Sequence, residues 1–367
     1  MKKILSGALF CIAAGTASAT QITTDGMLYA NKISAYSIVA AQHSISNAVL
    51  GAYDYYGLHV GKAASHNNTD HTSSDAAHMY GTFPLYGSMP LYGEWNDDGS
   101  AVRGHSGGDT IAPTNMNTWA RWTHGRADEK FGNFKKVRQN NDIILVGIGT
   151  NKTDIGAGWI STGAFGGYTG GRAHNTYIDL DQQGGYFGLY GSYNIHRMRT
   201  SMLATVGKMN SDIPRKFGGD SLDNTWANLT ALTTFDILPT PSFTLQPGLR
   251  LGYTWVKSSN YTSLERIYIT NDNFNFFLIS PQLRAIKHMG HGWFGAAHIR
   301  YMWQMKNGGD AHTSTGAKLH DLKMGNYTEY GIGLEKLFGQ INTSIDISRQ
   351  DGARRGWAGG IHLKYVF

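Results

Sequence analysis

After Thr118, apolar and polar residues alternate one by one through most of the chain. In Leu245–Trp255 one face collects Leu245, Pro247, Leu249, Leu251, Tyr253 and Trp255. The opposite face holds Gln246, Gly248, Arg250, Gly252 and Thr254. In Trp293–Trp303 the apolar side is Trp293, Gly295, Ala297, Ile299, Tyr301 and Trp303, against His298, Arg300 and Met302. In Gln340–Ser348, Ile341, Thr343, Ile345 and Ile347 oppose Asn342, Ser344, Asp346 and Ser348. The final stretch follows the same rule: Ile361, Leu363, Tyr365 and Phe367 share a face, and His362, Lys364 and Val366 take the other. A period of two is that of a β-strand. Each apolar face runs over about ten residues, enough for a strand tilted by some 45° to cross a bilayer. Trp255, Trp293, Tyr301 and Trp303 fall toward strand ends, where membrane barrels carry aromatic girdles.

The pattern predicts an all-β chain from Thr118 onward. The candidate strands are Thr118–Arg126, Asp142–Asn151, Ala157–Tyr168, Gly184–Ile195, Arg199–Lys208, Thr225–Ile237, Ser242–Lys257, Arg266–Asn271, Asn275–Lys287, Gly292–Met305, Glu329–Leu337, Gln340–Arg349 and Trp357–Phe367. Of these thirteen, Arg266–Asn271 is the weakest. Bacterial outer-membrane barrels use an even number of strands, so twelve is the expected count. The competing fold is a large soluble β-sandwich, which needs neither aromatics grouped at strand ends nor an apolar final strand.

Before the strands lies one helical pattern. From Ser34 to Tyr56, residues Ile38, Ala41, Ile45, Val49, Ala52 and Tyr56 recur every three or four positions. Ser34, Ser37, Gln42, Ser44, Ser46 and Asn47 are polar but uncharged. Such a helix is about 34 Å long, near the thickness of a membrane. Its low charge suits enclosure in a barrel lumen better than exposure to water. The expected organisation is a signal peptide at 1–19, a short N-terminal segment at 20–33, the helix at 34–58, a Gly/Ser/His/Asn-rich linker at 59–117 and the barrel at 118–367. The linker repeats itself once, as Phe83-Pro84-Leu85-Tyr86-Gly87 and Met89-Pro90-Leu91-Tyr92-Gly93, too briefly for a repeat architecture.

Composition narrows the class. Charged residues are 16%, below the roughly 25% of soluble proteins. There are 47 glycines, 20 tyrosines and 9 tryptophans, a balance that points to strands, turns and an aromatic-rich surface. The net charge of +6 is scattered and excludes a nucleic-acid-binding patch. Lys2 and Lys3, the apolar run Ile4–Ala14 and Ala17-Ser18-Ala19 read as an export signal cleaved near Ala19. Beyond it no run reaches 18 apolar residues, so no transmembrane helix is expected. The single cysteine, Cys11, lies in the signal, so the mature chain has neither disulfide nor thiolate chemistry.

Charge on the polar faces separates a lumen from a core. Arg121, Arg250, Arg284, Arg300, Glu335 and Asp346 fall on the polar side of the predicted strands. A dry core would have to pair nearly all of them, whereas a wet or helix-filled lumen tolerates them. Their expected role is to set lumen electrostatics and to grip the segment inside. No catalytic set emerges. Asp128, Glu129, His174 and Asp179 sit near strand ends without a binding spacing. Gly219-Asp220-Ser221 has no framework around it, and His59, His66, His71 and His78 are spaced irregularly. No metal and no other cofactor is expected.

Several stretches together resemble a known family. Trp119-Ala120-Arg121-Trp122 looks like the opening strand of the translocator domain of classical autotransporters, the type V secretion proteins of Gram-negative bacteria. Ile148-Gly149-Thr150-Asn151, Gly163-Ala164-Phe165-Gly166-Gly167-Tyr168 and Gly184-Gly185-Tyr186-Phe187-Gly188-Leu189-Tyr190-Gly191 are similar as well. So are Leu245-Gln246-Pro247-Gly248-Leu249, Gly331-Ile332-Gly333-Leu334-Glu335 and the terminal Phe367. The resemblance implies a transmembrane antiparallel barrel of about twelve strands with a helix through its lumen, closed by the first strand against the last. It implies the outer membrane, export or display of the N-terminal segment, and no enzymatic step. The implied partners are outer-membrane lipids, periplasmic chaperones and the barrel assembly machinery, which would read Ile361, Leu363, Tyr365 and Phe367 as an insertion signal. A monomer is expected. The chain departs from the family in the long interval between Tyr56 and Thr118 and in its short passenger. A plugged diffusion pore, or a structural or adhesive barrel, is therefore the alternative; a membrane-embedded hydrolase is a more distant one.

Overall fold

The computed structural model describes residues 29–50, 116–131, 136–150, 153–155, 157–176, 178–214, 220–240, 242–262, 266–319 and 324–367. Twelve long strands make the wall: β1 (Met116–Glu129), β2 (Val137–Thr150), β3 (Gly158–His174), β4 (Asp179–Ile195), β5 (Met198–Ile213) and β6 (Asp220–Phe235), then β7 (Phe243–Lys257), β8 (Phe274–Gly290), β9 (Trp293–Gly308), β10 (Tyr327–Phe338), β11 (Ile341–Gly352) and β12 (Arg354–Val366). Each pairs antiparallel with the next. β12 returns to β1, with Trp119 opposite Lys364 and Arg121 opposite His362. The ring has no free edge, so the ladder groups are paired without help from solvent. Among the described residues no helix is long and apolar enough to cross a membrane.

The thirteenth candidate, Arg266–Asn271, is not a wall strand. Tyr268–Asn271 pairs with Tyr261–Thr262 and Ala311–Thr313, and Ala311–Thr313 pairs with Lys318–Leu319. This small four-stranded sheet is built from the connections after β7 and after β9. Four residues are too few to cross a bilayer.

The two ends of the barrel differ. Met116 and Phe367 share one end, and three of the turns there have only two residues: His196-Arg197, His291-Gly292 and Gly339-Gln340. His196 (φ 52°), His291 (φ 49°) and Gly339 (φ 58°) take the left-handed backbone that tight hairpins need. The small sheet stands at the opposite end. These are called the turn end and the loop end.

Burial follows the alternation. Ile144, Val146 and Ile148 on β2, Phe187 and Leu189 on β4, and Leu249, Leu251 and Tyr253 on β7 all stand exposed on the outer surface. Their neighbours in sequence point inward and are buried or half-buried. An apolar exterior of this extent is unfavourable in water and favourable in lipid. Ile361, Leu363, Tyr365 and Phe367 belong to it, between 39% and 51% exposed.

Glycine does more inside the wall than at its turns. A Cβ on Gly147 would lie 2.3 Å from the Trp119 ring, and one on Gly188 2.3 Å from Phe165. The aromatic rings lie flat against the inner wall because these positions carry no side chain, and this leaves the centre of the lumen clear.

Candidate functional site

A helix, α1 (residues 29–50), fills that centre. It begins before Ser34: the chain is helical from Tyr29, and Ala30, Asn31 and Lys32 are fully buried. Polar positions on a lumen helix need not mark an exposed face, so apolar periodicity alone misplaces its start. Residues 51–58, the expected linker as far as 115, the expected short segment as far as 28 and the signal peptide lie outside the described residues, while Met116 and Asn117, expected in the linker, open β1. The helix is about 33 Å long. Burial runs all the way round it, from Ile38 and Ile45 to Ser34, Ser37 and Gln42.

Two kinds of contact satisfy this mixed surface. Some hydroxyls turn back on the helix: Ser37 Oγ donates to the Ile33 carbonyl at 3.0 Å and Ser44 Oγ to the Ala40 carbonyl at 3.2 Å. Others meet the wall. Ser34 Oγ lies 2.7 Å from Ser211 Oγ and accepts from Asn224 Nδ2 at 2.9 Å. Thr205 Oγ1 donates to Gln42 Oε1 at 2.9 Å, and His43 Nδ1 lies 3.1 Å from the Tyr327 hydroxyl.

These partners fix the direction of α1. Tyr36 stacks on Phe131 at 4.5 Å and meets Phe274 and Phe276 edge-on at 6.1 and 5.7 Å. Phe131 follows β1 and Phe274 opens β8, so both lie at the loop end. Ser46 and Asn47 instead reach Thr230, Arg250 and Arg300, in the middle of β6, β7 and β9. The N-terminus of the helix therefore sits at the loop end and the helix runs toward the turn end. Tyr261, Ile269 and Ala311 of the small sheet join the apolar cluster that holds Ala30 and Ile33.

The six charges singled out from the sequence lie on the inner face. Arg121 Nη2 meets Asp346 Oδ1 at 2.5 Å, across the strand that separates β1 from β11. Arg250 and Arg300 both donate to Asn47 Oδ1. Arg300 also meets Glu329 Oε1 at 2.8 Å and His298 Nε2 at 3.0 Å. Arg284 is buried and lines the same cavity as Asn47, Arg121, Arg300 and Glu329. Glu335 stands apart and accepts from Asn342 Nδ2 at 2.6 Å.

Several participants were not singled out by sequence reading. Glu329 shares the parity of Glu335 on β10, so extending that alternation upward would have found it. Glu129, read as a strand-end group, points inward and faces Arg354 at 3.7 Å. Asn47 had no signal, since one more uncharged polar residue on a polar helix does not stand out. The other strand-end groups are engaged locally: Asp128 accepts from Arg138 at 2.8 Å, Asp179 from Arg172 at 2.7 Å, and His174 is the register partner of Asp179. Asp272, Asp310 and His312 cluster at the loop end, where Lys318 lies 3.7 Å from Asp310. The outer groups Tyr365 and Phe367 meet edge-on at 5.0 Å, at the turn end.

The arrangement holds α1 against the wall through hydrogen bonds and ring contacts. The model of the Autotransporter beta-domain matches residues 118–357. A search of the curated proteins finds no match. Among solved structures, the chain is similar to the translocator domain of autotransporter NalP from Neisseria meningitidis, at 14% identity and a TM-score of 0.58, covering 71% of this chain and 91% of that one. It is similar to the transport unit of the autotransporter AIDA-I from Escherichia coli, at 15% identity and a TM-score of 0.57, covering 72% and 93%. For the beta domain of the Bordetella autotransporter BrkA the values are 15% and 0.56, covering 69% and 100%. Identities this low speak to the fold, while the family model spans well over half the chain. The chain belongs to the autotransporter β-domain family of outer-membrane barrels.

Proposed function

We propose that the barrel carries the segment before α1 to the cell surface and then keeps α1 as a plug. The single observation that supports this reading is the polarity of α1. Its N-terminus lies at the loop end, the end at which an exported N-terminal segment would have to emerge. In an outer-membrane barrel the longer loops face outward and the short turns face the periplasm. The six lumen charges would then serve retention, with Arg250 and Arg300 gripping α1 directly and Arg121, Arg284, Glu335 and Asp346 setting the field around it. Lipid and the barrel assembly pathway are the partners of any barrel of this family. Delivery by periplasmic chaperones, reading of Ile361, Leu363, Tyr365 and Phe367 as the insertion signal, and a monomeric state are part of this proposal.

The test is a cysteine placed at Thr24 in a Cys11→Ser background. Intact cells are treated with a membrane-impermeant maleimide. Labelling before the outer membrane is broken is the expected result. Labelling only after disruption would turn the reading toward a plugged pore whose N-terminal segment stays inside.

A further inference from the structure

On the outer wall, next to the loop end, charged residues border the apolar band. Across β11, β12 and β1 one register row reads Arg349, Trp357, Arg126. Across β12, β1 and β2 the next row, nearer the loops, reads Arg355, Asp128, Arg138. These residues share the outward parity of their strands. Asp351 organises one side. It accepts from the Tyr330 hydroxyl at 2.7 Å and from Arg349 Nε at 3.0 Å, and it lies 3.3 Å from Arg355 Nε. Arg349 stands over the Trp357 ring at 4.9 Å, and Asp128 accepts from Arg138 Nε at 2.8 Å. A guanidinium carries five N–H donors, so Arg349 and Arg355, sharing one carboxylate, keep donors for a second oxyanion.

The same band is balanced elsewhere. Arg172 on β3 meets Asp179 and Asp181 on β4 at 2.7 and 3.7 Å, and Lys208 on β5 meets Asp223 on β6 at 2.8 Å. In the β11–β2 sector Lys130 and Lys136 stand exposed above the four arginines, while Asp142, below them, lies 2.9 Å from His124. Among the described outward residues there, six cations meet three carboxylates. Four residues down the same strands, about 13 Å, the wall shows Ile345, Ile361 and Trp122, all exposed. Tyr330 and Trp357 mark the boundary, where aromatic side chains sit at headgroup level.

We propose that this patch, which straddles the seam where β12 closes on β1, binds a phosphorylated glycolipid of the outer leaflet. A phosphate lies between Arg349 and Arg126 beside the Trp357 ring, and the acyl chains run along Ile345, Ile361 and Trp122. Guanidinium forks match phosphate oxygens. The backbones of β11 and β1 are about 10 Å apart, a gap that two arginine side chains and a phosphate close. The cations above them suit a second phosphate on the same headgroup. Bound so, the lipid clamps the last strands to the first. The choice of leaflet rests on the orientation proposed above. Binding itself is read in detergent, where there is no leaflet, so it can fail while the Thr24 labelling result stands.

The test uses the full-length protein, folded in uncharged detergent, with unfolding followed by heat-modifiable mobility during titration with diphosphorylated lipid A. The unfolding temperature should rise and the rise should saturate, whereas the same lipid stripped of phosphate should give none. Arg126→Gln with Arg349→Gln should move half-saturation up at least ~10-fold. Arg172→Gln, outward at the same end but facing two carboxylates, should leave it within ~2-fold. An equal rise with the dephosphorylated lipid overturns the site, and this comparison needs no variant. Unchanged half-saturation in the double variant, or an equal shift in Arg172→Gln, also overturns it. Phosphatidylglycerol saturating at the same concentration overturns the choice of a glycolipid.

Discussion

Replacing Tyr36 with alanine should unseat the plug without harming the wall. Tyr36 is fully buried, and its ring meets Phe131 at 4.5 Å, Phe276 at 5.7 Å and Phe274 at 6.1 Å. Lys306 Nζ lies 5.8 Å above the same ring. Truncating a large aromatic in a dry core costs about 3–5 kcal/mol. Water reaching the Lys306 side refills part of the void, so ~3 kcal/mol is a reasonable figure here, or roughly a hundredfold in the balance between seated and released helix. The assay is the open probability of single channels in planar bilayers, which should rise by that order. Tyr36→Phe keeps all three ring contacts and gives up the hydroxyl, with its 3.5 Å contact to Lys306 Nζ. It should cost under ~1 kcal/mol and shift opening by less than about fivefold. Openings of Tyr36→Ala within about threefold of wild type, or Tyr36→Phe as leaky as Tyr36→Ala, would refute the plug contact.

Other changes separate the wall from the helix. Gly147→Val puts carbon 2.3 Å from the Trp119 ring and forces the indole into the space of α1; a loss of about 1–3 kcal/mol should appear as a lower unfolding temperature by heat-modifiable mobility. Glu329→Ala leaves Arg300 without its 2.8 Å partner. Breaking such a pair costs up to about 3–5 kcal/mol, reduced in a lumen that admits water, and the unfolding temperature should fall further than with Glu329→Gln. Tyr365→Ala with Phe367→Ala removes outer groups at the turn end. It should lower the folded fraction found in outer membranes several-fold, while protein refolded in detergent keeps its unfolding temperature; a lowered temperature there would assign the pair to wall stability instead.

The outer surface was the most legible part of the chain. Lipid forces each spanning strand to show an unbroken apolar face, and Leu245–Trp255 or Ile361–Phe367 display it without help from tertiary structure. Closure of β1 on β12 followed from the same logic, since an open edge in lipid is costly. The interior was harder to read. A wet lumen accepts any polar residue, so alternation marks which side faces inward without saying what meets what. Arg250 and Arg300 could be assigned to the inner side, but not to a shared contact with Asn47, because that pairing depends on the depth at which α1 settles. Gly147 and Gly188 carry no strand signal of their own; their reason is the ring of Trp119 or Phe165 lying across them. The start of α1 was misplaced for a related cause. Asn31 and Lys32 are polar by sequence and buried in fact, so their polarity reads as a boundary where the structure has none.

The central claim is that α1 lies inside the barrel with its N-terminus at the loop end. Ser34 Oγ and Ser211 Oγ are 2.7 Å apart, from helix to wall. In a Cys11→Ser background, Ser34→Cys with Ser211→Cys should form an intramolecular disulfide under mild oxidation in native outer membranes, seen as a reduction-sensitive shift of the unfolded band. Failure to cross-link, together with free labelling of Ser34→Cys by an impermeant maleimide, would place the helix outside the lumen and contradict the account.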